Sequence, residues 1–351
     1  MSRVGMHLSR VALVGAIALG CITTWQVPAR AGSDNSNDTY AGDVTLFSLP
    51  PGTLIASEYV GFRHGDTYVT SDKNIFGKLT GGQKEIPSTV DVHTSISRLT
   101  YLTSLLGHPL AISAAAALAE VDEFNIGNLP HPVGGLGSQT IGNSFTDPSV
   151  FVSYGLIVNP QNQRFLSFSN YVYFPAGNFD KFKQINFSTP GQYTWVPQLT
   201  YAEGLGKFGA KNLWLDLIAN ISVHSTGDSP LALAPGVQFD KLTQGNSYDI
   251  KAFLRYSLNP LSYAALGVER SWGGDQIATG GVLETIFGGP TSFGRDDFVK
   301  GHVQAAMGLA RDFQIATDIT HDFERSGGVR EEFTAEVRLT KFFIPGSEGL
   351  K

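Results

Sequence analysis

Charge is scarce in this 351-residue chain. Asp, Glu, Lys and Arg make up 16 % of it, against roughly 25 % in ordinary soluble domains. That shortage disfavours a helix-rich enzyme, which carries Lys, Glu and Arg on its solvent faces. Cysteine is almost missing. The single Cys21 lies among the first thirty-one residues, so the chain beyond them has no thiol and can form no disulfide. Small exported domains usually depend on such bridges, so rigidity must come from elsewhere, as it would in a closed hydrogen-bonded barrel. A long apolar run occurs only near the N-terminus, which disfavours a bundle of membrane helices. No Lys/Arg cluster offsets the net charge of −6, so nucleic acid is not expected as a partner.

Motifs for several chemistries are missing as well. There is no Gly-x-x-x-x-Gly-Lys-[Ser/Thr] phosphate loop and no His-Glu-x-x-His, and no Gly-x-Ser-x-Gly elbow. The histidines at 64, 93, 108, 131, 224, 302 and 321 show no ligand spacing. Gly134-Gly135-Leu136-Gly137 has no leading strand or following helix, so it reads as an external loop rather than a dinucleotide site. No catalytic residue, metal or cofactor is expected, and the chain is not read as an enzyme. What is abundant is glycine, 40 residues, and a fine mixture of polar and apolar positions: 42 % hydrophobic with a mean hydropathy of −0.02. That mixture excludes disorder, coiled coil and collagen.

Residues 1–31 read as a signal peptide. Arg3 and Arg10 precede an apolar run from Val11 to Thr23, and Ala29-Arg30-Ala31 fits a small-x-small cleavage site. The run is short for a membrane anchor, and Cys21 is a poor match to a lipoprotein site.

From about residue 54 to 343 the chain alternates. In Ser247–Asn259 one set is Tyr248, Ile250, Ala252, Leu254, Tyr256 and Leu258; the other is Asp249, Lys251, Phe253, Arg255 and Ser257. Phe298–Ala310, Phe313–Phe323 and Glu332–Phe343 repeat the pattern. Alternate side chains of a strand point to opposite faces, so each segment has one apolar and one polar face. Each is the length of a tilted membrane-crossing strand. Leu54–Arg63, Thr94–Leu105, Leu110–Val121, Asp147–Ile157, Arg164–Phe174, Tyr193–Glu203, Asn212–Val223 and Ser262–Gly273 fit less clearly. Leu110–Val121 is Ala-rich and could be a helix on composition alone; it is read as a strand.

The connections alternate too. Gly107-His108, Asn159–Gln163, Gly204–Lys211, Asn259–Leu261 and Ala310–Asp312 are short. His64–His93, Asp122–Thr146, Pro175–Gln192, His224–Asn246, Gly274–Asp297 and Glu324–Glu331 are longer. Outer-membrane barrels show this regularity. The fold class expected is all-β, an antiparallel transmembrane β-barrel of about twelve strands with short periplasmic turns and long external loops. The barrel spans 53–343, after a periplasmic or plug segment at 32–52 and before a tail at 344–351. Phe174, Trp195, Tyr248, Trp272, Phe313, Phe323 and Phe343 fall near strand ends, as interfacial aromatics do. Arg270, His321 and Lys341 fall on the nominal lipid face, close to strand ends where a charge costs only about 0–1 kcal/mol.

These segments resemble a family. Leu49-Pro50-Pro51-Gly52-Thr53 precedes the first strand, and Phe174-Pro175-Ala176-Gly177 with Asp180 closes the fifth. Leu215-Asp216-Leu217-Ile218 lies in the seventh. Leu254-Arg255-Tyr256-Ser257-Leu258-Asn259-Pro260 leads to Ser271-Trp272-Gly273-Gly274. With these motifs the chain resembles the outer-membrane proteins grouped under the MetA pathway of phenol degradation, transporter-like barrels. The resemblance implies passage of small hydrophobic or aromatic compounds across the bacterial outer membrane. It departs from outer-membrane barrels in continuing past Phe343 through Pro345 and Gly346. The partners expected are outer-membrane lipids and lipopolysaccharide, a small hydrophobic or aromatic permeant, and the barrel-assembly machinery during insertion.

With the apolar set in lipid, the polar set faces the lumen. The short turn after Asn259 sets Lys251 opposite Glu269, and the turn at Ala310–Asp312 sets Lys300 beside Asp322. Such pairs neutralise the lumen and fix register, or form a constriction that contacts the permeant. Asp249, Arg255, His302, Asp318 and Arg338 are the other lumen-lining candidates, with Asp216 a weaker one. Asp216, Asp249, Glu269, Asp318, Asp322, Glu332 and Glu336 outnumber Lys251, Lys300, Arg255 and Arg338, which suggests a mild preference for neutral or cationic solutes. Transport would be passive. The alternatives are a surface binding or adhesion barrel working through its long loops, and a barrel-embedded hydrolase.

Overall fold

The computed structural model describes residues 39–71, 82–126, 141–177, 191–228, 241–281, 284 and 288–346. Residues 1–31, the tail from 347 and Gly134–Gly137 lie outside them. Twelve long strands build the wall: β1 (Leu54–Val69), β2 (Glu85–Leu105), β3 (His108–Ile126), β4 (Ser149–Asn159), β5 (Arg164–Tyr173), β6 (Thr194–Gly204), β7 (Leu213–His224), β8 (Ser247–Asn259), β9 (Ser262–Trp272), β10 (Asp297–Ala310), β11 (Phe313–Ser326) and β12 (Gly328–Phe343). Each pairs antiparallel with the next, and β12 pairs back onto β1, with Leu54 opposite Phe343 and Val60 opposite Val337. The ring is closed, so the wall has no open edge to satisfy, which is what a sheet in hydrocarbon requires. No helix among the described residues is long and apolar enough to cross a membrane.

The Ala-rich segment is strand, not helix. β3 pairs along its length with β2, from Leu105 opposite His108 to Ser88 opposite Ile126, and on its other side with β4. Ladder bonds on both sides override the helix propensity of alanine.

β1, β2 and β3 are 16, 21 and 19 residues long, whereas β4 to β9 run from 10 to 13. About 9–11 residues suffice to cross a bilayer, so the first three project beyond it at the long-loop end. Much of the expected His64–His93 loop is therefore ladder, tied by His64 Nδ1 and Asp91 Oδ1 at 2.6 Å. Alternation does not announce such extensions, because Ile86, Val90 and Val92 face in there while Asp91 and His93 face out, the reverse of the pattern that marks a lipid-facing wall. Four short strands, Gly227–Asp228, Lys241–Gln244, Gln276–Thr279 and Thr291–Gly294, form a separate small sheet in the long connections.

In β8 to β12 the two faces follow the alternation. Leu254 is 48 % exposed on the outside, and its neighbour Arg255 is 3 % exposed inside. β4 to β7 follow it as well, with Val150, Phe168 and Leu199 outside and Ser149, Ser169 and Thr200 inside, whereas part of β2 inverts it. β2 turns Val90, Val92 and Ile96 inward and Asp91, His93, Ser95 and Ser97 outward. Tyr59, Phe151, Phe165, Tyr171 and Tyr173 also face in and are buried. The inward apolar residues have something to pack against. Residues 39–49 enter the bore, running from mid-lumen to the short-turn end, with a 3-10 helix at Asp43–Ser48. Val44 and Phe47 cluster with Ile55, Leu102, Ala111, Phe165, Ala202 and Phe342. Tyr40 and Ala41 cluster higher up with Tyr59, Ile96, Ile218 and Phe253.

Candidate functional site

The site is the lumen, and strand register builds it. β8 and β9 pair with Lys251 opposite Glu269, and Nζ lies 3.5 Å from Oε1. β9 and β10 set Glu269 beside Lys300, while His302 reaches across from the next inward position. Its Nε2 is 3.0 Å from Glu269 Oε2, and its Nδ1 is 3.0 Å from Asp318 Oδ2. Both carboxylates can accept only when both ring nitrogens carry hydrogen. Gln304 Nε2 donates to the same Asp318 oxygen at 2.9 Å. Lys251, Glu269, His302 and Asp318 thus form one charge ladder across four strands.

A second pair joins β7 to β8. Arg255 donates from Nε to Asp216 Oδ2 at 2.8 Å and from Nη2 to Oδ1 at 3.2 Å, a bidentate geometry. Its guanidinium carbon lies 4.7 Å from the centre of the Trp214 ring. Asp216, the weaker candidate on sequence, is held by the stronger geometry.

Lys300 and Asp322 are register neighbours as expected, yet their side chains form other contacts. Lys300 Nζ donates to Glu331 Oε2 at 2.8 Å. Asp322 accepts from Arg325 Nη1 at 2.5 Å and from the Glu331 backbone N–H. Arg325 also holds Asp296 at 2.7 Å. The cause is a bulge: His64 pairs with Phe333 and Gly65 with Glu331. Glu331 thereby takes the inward place expected for Glu332, whose carboxylate lies 4.0 Å from His321. Asp249 is half-buried on the inner face, opposite Ser271 and Asn220.

The inner segment is bound to this wall by polar contacts. Asp43 accepts from Arg338 Nη1, and Arg338 Nη2 donates to Gln314 at 3.2 Å. The Tyr40 hydroxyl donates to Glu336 at 2.9 Å, and the Ala41 N–H donates to Gln304. Burial first, then the Glu336 carboxylate beside it, push the Tyr40 hydroxyl well above its ordinary value, which keeps it a donor. The Gly42 N–H donates to Asp216. Gly42 sits at φ +85°, and a Cβ there would lie 3.1 Å from the Arg255 guanidinium, so the passage favours glycine.

Three inward bases escaped the sequence reading: Arg63, Arg98 and Arg325. Arg98 is in phase with Ile96 and Leu102, so hydrophobicity alone gave no reason to place it in the lumen. Arg63 lies 3.5 Å from Glu331. The three bring the bases level with the seven acids counted from the clear strands, while Asp43 on Arg338 and Asp296 on Arg325 add two further acids.

On the outside, Arg270 meets Glu324 at 3.5 Å and Lys341 meets Asp312 at 2.5 Å. Trp195, Tyr248, Trp272, Phe323 and Phe343 are exposed on the outer wall, where a girdle would lie. Glu58 is an outward carboxylate that the alternation did not reveal, accepting from Ser95 and Ser97 at 2.7 and 2.6 Å.

No family model and no curated protein matches the chain, so the MetA-pathway resemblance has no matching family behind it. Solved structures do match. The COG4313 outer membrane channel from Pseudomonas putida F1 superposes with a TM-score of 0.70 at 19 % identity, over 87 % of this chain and 100 % of that one. A KdgM porin and a TodX monoaromatic hydrocarbon channel mutant give TM-scores of 0.39 and 0.38 at 8 % identity each. They cover 82 % and 85 % of this chain and 99 % and 91 % of theirs, a likeness too distant to bear on function. The fold is that of an outer-membrane β-barrel, similar over most of its length to a known outer membrane channel.

Proposed function

We propose that the protein is a passive outer-membrane channel for small hydrophobic or aromatic compounds. The observation that carries this reading is the inner lining. Tyr59, Phe151, Tyr171 and Tyr173 face the bore and are buried, with Ser57, Ser153, Ser167, Ser169 and Thr200 beside them. A water-filled porin lumen is polar, whereas aromatic faces with interspersed hydroxyls suit a ring with one polar substituent. The charged residues named from sequence hold the other wall. In this reading the ladder of Lys251, Glu269, His302 and Asp318 and the Arg255–Asp216 pair form a self-neutralised rail. The segment at 39–49 is a plug, because it fills the bore at the short-turn end.

Planar-bilayer recording of the purified full chain tests the channel. Discrete current steps are expected, larger or more frequent when residues 39–48 are deleted. Silence from both forms would contradict it.

A further inference from the structure

We infer that the cavity between the inner segment and the β1–β6 wall is a binding site for a small aromatic carboxylate, which competes with Asp43. This deepens the channel reading and rests on it. The cavity has a volume of about 100 Å³ and borders both the inner segment and the wall. Its charged lining residues are Asp43, Arg98 and Arg338, two guanidinium groups against one carboxylate. The local excess is cationic, although the chain as a whole is acidic.

Buried polar atoms at this cavity without a hydrogen-bond partner include Nε of Arg338, a donor, and Oε1 of Gln198, an acceptor. Native structures rarely leave such atoms unmet. A carboxylate would satisfy the arginine, and guanidinium–carboxylate pairing is among the stronger contacts available to it. The rest of the lining suits a ring. The Arg98 guanidinium carbon lies 4.9 Å from the Tyr59 ring centre and 5.4 Å from that of Phe151, and Phe151 and Tyr171 pack with centroids 4.6 Å apart. Ser153, Ser169 and Thr200 supply hydroxyls beside them.

The inner segment occupies the site in the manner of such a ligand. It sets a carboxylate, Asp43, on Arg338, and an aromatic ring, Phe47, against the same cavity. A cavity known to hold benzene measures about 150 Å³. A ring therefore enters only as Asp43 and Phe47 give way, so that loading and unplugging are linked.

Calorimetric titration of the full chain with sodium benzoate, benzyl alcohol, benzylammonium chloride and sodium acetate, at one ionic strength, tests this. Benzoate should bind at least about tenfold more tightly than the other three. Asp43→Asn should tighten benzoate severalfold by removing its competitor. Arg98→Gln should weaken benzoate about tenfold while leaving benzyl alcohol unchanged. If that variant does not fold, Arg98→Lys, which keeps the charge and loses the fork, should show a smaller loss of the same sign. Equal binding of benzyl alcohol and benzoate, or benzoate binding indifferent to Asp43 and Arg98, overturns the site. Currents from the same preparation separate the two claims. Conduction without benzoate binding removes the site and leaves the channel; benzoate binding without conduction removes the channel and leaves a binding barrel.

Discussion

Asp43 sets both carboxylate oxygens 2.8 Å from Nη1 of Arg338, across 295 residues of sequence. One partner lies on a short 3-10 helix inside the bore, and the other on the last strand of the wall. The contact ties the beginning of the described chain to its end and holds the inner segment against the wall.

Asp43→Asn should loosen that segment. A charge-assisted hydrogen bond contributes about 1.5–3 kcal/mol, so the equilibrium between seated and released segment should shift roughly tenfold to a hundredfold. Open probability in planar bilayers should rise, and protease should cut near residue 43 faster. Unchanged gating and unchanged cleavage would show that the pair does not hold the segment.

The charge ladder should behave as a unit. Lys251→Ala and Glu269→Ala should each destabilise the barrel, and the double variant should lose less than the sum, with a coupling of about 0.5–3 kcal/mol. His302→Ala should couple to Glu269→Ala in the same sense. Unfolding in urea from lipid vesicles measures this, and strict additivity would contradict the ladder.

The turn before β11 offers a pH signature. The Lys341 ammonium, hydrogen-bonded to Asp312, holds that carboxyl below its ordinary value. A carboxylate lowered in the folded state stabilises above its unfolded pKa, and the effect is lost as pH falls through the folded one. Titration of the labelled Asp312 carboxyl by NMR should show the depressed midpoint, and Lys341→Ala should restore the ordinary one. The same midpoint in both proteins would rule the clasp out.

Glu58 faces outward four residues along from Leu54, about 10 Å above the short-turn interface for a tilted strand. An acid on the lipid face costs less than the roughly 2–4 kcal/mol of a midplane base. Glu58→Leu should therefore stabilise the barrel by about 1 kcal/mol. Ser95→Ala with Ser97→Ala should destabilise it by a similar amount, since the hydroxyls solvate the carboxyl. Loss of stability in Glu58→Leu would contradict a lipid-facing acid.

The wall was legible in the sequence because lipid enforces alternation. Most of β8 to β12 follows the alternation directly, and the turn after Asn259 sets Lys251 opposite Glu269. The apolar inward positions of β1 and β2 were not legible, since part of that face packs against protein. Ile96 and Leu102 face in because Tyr40, Val44 and Phe47 fill the bore beside them, and no periodicity encodes that. Arg98 was hidden for the same reason. Glu331 was misplaced because a bulge breaks the two-residue count that assigned Glu332 to the lumen.

Everything depends on the wall separating hydrocarbon from the bore. Phe168 is exposed on the outer face of β5, and the next residue, Ser169, lines the inner cavity. With the lone Cys21 replaced by serine, Phe168→Cys and Ser169→Cys each carry a single spin label in a barrel reconstituted in lipid. The label at 168 should relax with dissolved oxygen, and the label at 169 with a water-soluble nickel chelate. Identical responses from these two neighbours would contradict the membrane barrel itself.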